Sequence, residues 1–180
     1  TQQLLLQARS AIEQFGAPEK RHQNRDNLID AILKQLPNAP AGSDHQLSFV
    51  RNIIALARTT EHTDLLQSWL DGSATPAGLA MDTDLRWAFV SRLASLGVFD
   101  ASAIDTELER DNTAGGQRQA ASARAALPTA KAKADAWAAV VDSDDLPNAL
   151  LNATVGGFAQ PDQRELLVPY VDKYFAALTG

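Results

Sequence analysis

Apolar residues recur along this chain at intervals of three and four, and most of these runs stop at a Gly or a Pro. That spacing lays a stripe along one face of a helix, and the stripe must be buried against another element. Leu4, Leu5, Ala8, Ala11, Ile12 and Phe15 form the first stripe, closed by Gly16 and Pro18. Asn24 is a plausible N-cap for a second, Leu28, Ile29, Ile32, Leu33 and Leu36, ended by Pro37 and Pro40. Ser43 and Gln46 have the spacing of a capping box ahead of Leu47, Val50, Ile53, Ile54 and Ala57. Thr60 is expected to cap another helix, with Leu65, Leu66, Trp69 and Leu70 inward. The stretch 71–81 is the longest irregular one, rich in Gly, Ser, Thr and Pro.

The second half repeats the pattern. A helix is expected from Asp84 to Leu96, closed by Gly97. Asp100 or Ser102, Thr113 and Thr129 are the next cap candidates, and Asp144 or Asp145 precedes Pro147 before another helix. Gly156 and Gly157 are expected to break that helix, as turns or close approaches between helices. Pro161 should open the last stretch and Pro169 split it. Ala and Leu dominate, and β-branched residues almost never alternate with polar ones, so strands are not expected. The expected fold is all-α: an irregular HEAT-like array of antiparallel helix pairs, an α-α superhelix of about nine or ten helices with short connections. The 180 residues are treated as a single helical domain. The chain opens on Thr-Gln-Gln-Leu-Leu-Leu with no cap or basic leader, which reads as a segment of a longer protein.

Charge and composition narrow the function. A net charge of −6 argues against a nucleic-acid partner, which needs a positive face to displace counterions. No apolar run approaches the ~20 residues of a membrane span, so no membrane partner is expected. With no cysteine the composition suits a reducing compartment, and the expected location is cytoplasmic. His22, His45 and His62 lack the spacing of a zinc pair, and a capping or surface role is expected of them. No catalytic constellation or phosphate-binding loop is present, and no metal ligand or cofactor is expected in these residues.

The densest polar cluster is Asp82-Thr83-Asp84-Leu85-Arg86-Trp87. In one reading the carboxylates complement a helix start and pair with Arg86. In the other, Arg86 offers a planar fork to a carboxylate such as a peptide terminus, making Arg86, Asp82, Asp84 and Trp87 the substrate-contact candidates. Asp142, Asp144 and Asp145 lack the offsets of a calcium loop and read as a solvated cap. Trp69, Trp87 and Trp137 read as core anchors.

Several segments resemble, in colinear order, the C-terminal region of actinobacterial aminopeptidase N. They include Gly42-Ser43-Asp44-His45-Gln46-Leu47, Leu79-Ala80-Met81-Asp82-Thr83-Asp84-Leu85-Arg86-Trp87 and Glu107-Leu108-Glu109-Arg110-Asp111. Ala130-Lys131-Ala132-Lys133-Ala134 with Trp137, Gly156-Gly157-Phe158 with Pro161-Asp162, and Pro169-Tyr170-Val171 extend the likeness to the end. The resemblance implies a HEAT-like C-terminal domain of a zinc-dependent gluzincin aminopeptidase, shared with the endoplasmic-reticulum aminopeptidases. It implies that zinc and catalysis belong to an upstream domain of the same chain. It implies further that this domain caps the active-site chamber and gates peptide substrates. Neither the family's His-Glu-x-x-His zinc motif nor its Gly-Ala-Met-Glu-Asn-like segment, which grips the substrate amine, occurs here, so no catalytic residue carries over. The alternative is an independent HEAT- or TPR-like interaction scaffold.

Overall fold

The computed structural model of the chain describes residues 2–142 and 146–179. Among these residues there are eleven α-helices and no strand, so the chain is an all-α array. It divides into two compact units, 1–89 and 90–180, and the division falls inside one helix.

The first unit holds α1 (Gln2–Ser10), α2 (Pro18–Gln35), α3 (Asp44–Leu56), α4 (Thr60–Leu70) and the first half of α5 (Thr83–Ser95). A π-helical turn, Ala11–Phe15, continues α1. Pro18, expected to act as a stop, instead opens α2 six residues before the anticipated cap Asn24. The first helical position needs no N–H, so proline's fixed φ costs nothing there. Arg25 is 5% exposed yet anchored by Glu13, which accepts from its Nε at 2.6 Å and its Nη2 at 2.7 Å. That two-pronged pairing satisfies a buried guanidinium. Ile29, Ile32, Val50, Ile53, Leu66 and Leu85 fill the core, and Trp69 meets Phe89 edge to face at 6.5 Å.

The capping box at Ser43 forms by halves. Ser43 Oγ accepts from the Gln46 N–H at 3.2 Å, as the spacing predicts. The Gln46 side chain does not return to Ser43. It accepts from the Gly42 N–H at 2.8 Å and donates to the Ala77 carbonyl at 2.9 Å, tying the irregular 71–81 stretch to the start of α3. The cap of α4 is Thr59 rather than Thr60.

The second unit holds the rest of α5, then α6 (Ala101–Arg110), α7 (Ala114–Ala126), α8 (Ala130–Val141), α9 (Asn148–Phe158), α10 (Arg164–Leu167) and α11 (Pro169–Thr179). Asp100, Thr113 and Thr129 accept from the amides of Ala103, Gly116 and Ala132, as N-caps should. The cap candidates Asp144 and Asp145 lie outside the described residues. Pro161–Gln163 is a single 3-10 turn, and Pro169 splits the last stretch by opening α11.

α7 is the hub, packed against α6, α8 and α9. Its inward face is Ala120, Ala123, Ala125 and Ala126, all buried. Small side chains let helix backbones approach closely. Gly156 and Gly157 do not break α9 as expected; both lie within it. At position 157 a Cβ would sit 2.0 Å from the Ser122 carbonyl oxygen of α7, so only glycine permits this crossing. Gly116 is equally confined, since a Cβ there would collide with the Asp111 carbonyl oxygen.

Candidate functional site

The Asp82–Trp87 cluster straddles the start of α5. Asp82 Oδ1 accepts from the Leu85 N–H at 2.8 Å, which is the helix-capping role open to a carboxylate at that place. Asp82 and Asp84 are exposed and Arg86 is half-buried. Trp87 is 1% exposed, so the structure seats it in the core and leaves Asp82, Asp84 and Arg86 as the solvent-reachable members. Trp69, 4% exposed, is likewise a core anchor. Trp137 is only half-buried.

The three histidines stay apart from any ligand set. His62 is 7% exposed, and its Nδ1 accepts from the Arg58 N–H at 3.4 Å. Among the described residues no three His, Cys, Asp or Glu side chains group to hold a metal ion.

Two buried polar side chains of the second unit were not singled out by sequence reasoning. Lys133 is 0% exposed. Its Nζ donates to the Ala125 carbonyl at 2.6 Å and the Phe158 carbonyl at 2.9 Å, and stands 5.6 Å from the Phe158 ring centroid. Those carbonyls lie at the ends of α7 and α9, where the last turn has no partners of its own. A cation there also suits the negative end of each helix. Gln163 Nε2 donates at 2.8 Å to the carbonyls of Ser95 and Ala126, the last residues of α5 and α7. Three helix ends are therefore fastened by two side chains. The signal for Lys133 was its place in the stripe Lys133, Ala136, Trp137 and Val140, where an apolar residue belongs.

Burial pushes the Lys133 ammonium down to about 8 from 10.5. Since its folded value lies below its unfolded one, carrying the charge costs stability below pH 8, and that cost is relieved as pH rises toward 10.5. We expect the urea midpoint of the wild type, measured against Lys133→Met, to gain on the variant across that window. Parallel midpoints from pH 7.5 to 10 would refute this.

Beside this junction Trp137, Phe158 and Tyr170 pack as a triad, with centroids 5.1 to 6.3 Å apart. They border a groove of about 480 Å³ that continues over Val140, Leu167 and Val171 and carries no charged side chain. Its lining is almost wholly apolar, with the Tyr170 and Tyr174 rings the only ones that carry a hydroxyl.

Two comparisons agree with the geometry. The family model described as the ERAP1-like C-terminal domain matches residues 1–180. A protein of Streptomyces lividans named Aminopeptidase N is 54% identical over 177 residues, covering 98% of this chain. The chain spans only 21% of that relative's length. An all-helical chain matched along its whole length by that model thus belongs to the ERAP1-like C-terminal domain family.

Proposed function

We propose that this chain is the non-catalytic C-terminal domain of a zinc-dependent aminopeptidase that removes N-terminal residues from peptides in the cytoplasm. In this reading it caps the chamber over the active site of an upstream catalytic domain and limits which peptides enter. The observation that carries the reading is the 54% identity to Aminopeptidase N over nearly the whole chain. The parent's zinc is expected in the catalytic domain, since among the described residues no three His, Cys, Asp or Glu side chains group to hold it.

The division of labour has a physical basis. A peptidase needs its metal ligands fixed within a fraction of an ångström, whereas selection among peptides needs a shaped wall. Helices locked by Lys133, Gln163 and the Gly157 crossing can supply a stiff wall, and restricted entry discriminates between substrates without touching the reacting bond. The net charge of −6 favours the approach of cationic peptides. Asp82, Asp84 and Arg86 are the proposed substrate contacts, with Trp87 holding their helix from the core.

The test has two arms. The purified 180-residue chain is expected to hydrolyse no aminoacyl-arylamide, with or without added zinc, while the parent enzyme does. Zinc-dependent turnover by the isolated chain would refute the reading. In the parent, Arg86→Ala separates the two readings: a substrate contact predicts a raised KM at an unchanged melting temperature. A lowered melting temperature with unchanged kinetics would assign Arg86 to structure alone.

A further inference from the structure

The first unit brings two helix faces together around a polar pocket that the peptidase reading does not use. On α1, Gln2, Leu6 and Arg9 follow one another at i, i+4 and i+7, one face of the helix. On α3, Ser48, Arg51 and Asn52 share a face at i, i+3 and i+4. α1 packs on α3, and these six residues line a pocket of about 230 Å³.

Its chemistry is one-sided. The lining has two guanidinium groups, a hydroxyl and two amides, and no acidic side chain. Arg25, Arg58, Arg92, Arg110 and Arg124 each meet a carboxylate; among the described residues Arg9 and Arg51, like Arg21, Arg118 and Arg164, do not, and they are the two that line one cavity together. That contrast arises in a chain with 22 acidic against 16 basic residues. Two like charges facing one cavity repel each other, and a bound anion removes that repulsion. Ser48 Oγ, also in the wall, is shielded from solvent and has no hydrogen-bond partner among the described residues. A buried hydroxyl left unsatisfied carries a desolvation cost that a ligand acceptor would offset. Asn52, 8% exposed, is steadied by its Nδ2, which donates to the Ser48 carbonyl at 2.8 Å.

We propose that Arg9, Arg51 and Ser48 form a binding site for the oxyanion of a small molecule, a phosphoryl or carboxylate group. The two planar forks grip the oxygens, and the Ser48 hydroxyl, once a turn about its Cα–Cβ bond brings it to the cavity, donates a further hydrogen bond. A cavity of this size takes such a group together with part of the small molecule that carries it.

Titration of the 180-residue chain with inorganic phosphate and, separately, with acetate tests the site, with sodium chloride at matched ionic strength as control. Isothermal calorimetry and the melting temperature are read together. We expect saturable binding of at least one of the two anions, and a rise in melting temperature that chloride does not reproduce. Phosphate binding alone identifies a phosphoryl ligand, and acetate binding alone a carboxylate ligand. Arg51→Gln, an exposed position where folding is not at stake, should weaken binding by about tenfold or more. Ser48→Ala should weaken it less while leaving the unliganded protein as stable or more so. Absence of saturable binding for both anions, or full retention of binding by Arg51→Gln, overturns the proposal.

Discussion

Gly157→Ala is expected to destabilise the chain by more than about 4 kcal/mol, enough to abolish a cooperative thermal transition in the second unit. The added Cβ would fall 2.0 Å from the Ser122 carbonyl oxygen, and 2.8 to 2.9 Å from its carbonyl carbon and Cα. All three are backbone atoms of α7, so no side chain can swing aside. The two helices must separate, and the buried alanine face of α7 would lose its packing. The neighbouring position supplies the control. Gly156 is exposed, and a Cβ there meets nothing within 4 Å. Gly156→Ala should therefore stabilise α9 by about 0.5–1 kcal/mol, since alanine restricts the unfolded chain and favours helix. Adjacent glycines in one helix thus carry opposite signs. Similar melting temperatures for the two variants would contradict the packing described for α7 and α9.

Lys133→Met is the second large effect, expected to cost about 2–4 kcal/mol at pH 7. Methionine is close to lysine in length and fills the same channel, so packing is kept and the hydrogen bonds are lost. The carbonyls of Ala125 and Phe158 would then be left at buried helix ends without their Nζ donor. Relief from burying an ammonium offsets part of this loss, which is why the figure falls short of two full unsatisfied carbonyls. Lys131 is the internal comparison. It lies two residues away with its side chain 84% exposed, and pairs only with Asp135 across one helical turn. Lys131→Met should change stability by less than about 0.5 kcal/mol. Denaturant titration of both variants measures the difference.

Much of the fold was legible because local signals agree with the tertiary result. The stripes of Leu28 to Leu36 and Leu47 to Ala57 buried Ile29, Ile32, Val50 and Ile53, and the caps Ser43, Asp100, Thr113 and Thr129 formed where oxygen-bearing side chains precede helical runs. The readings that failed share a cause. Pro18 and the Gly156-Gly157 pair look like breakers when judged by propensity alone. Pro18 opens a helix because position N1 excuses its missing donor, and Gly157 stays helical because α7 crosses there. Neither fact is local. The candidate site was legible in part. The Asp82 cap follows from its position before α5, while the burial of Trp87 and Lys133 depends on which helices pack around them. Likewise the pocket of Arg9 and Arg51 joins residues 42 positions apart, a pairing that no stripe announces.

In the function proposed above, this domain shapes access to a chamber and does not act on the peptide bond. The most direct measurement compares kcat/KM for a long peptide with that for a single-residue arylamide, in the parent enzyme with and without these 180 residues. If the domain governs entry, its removal shifts the ratio of the two constants by about tenfold or more while arylamide turnover persists. An unchanged ratio, with both substrates affected alike, would contradict it.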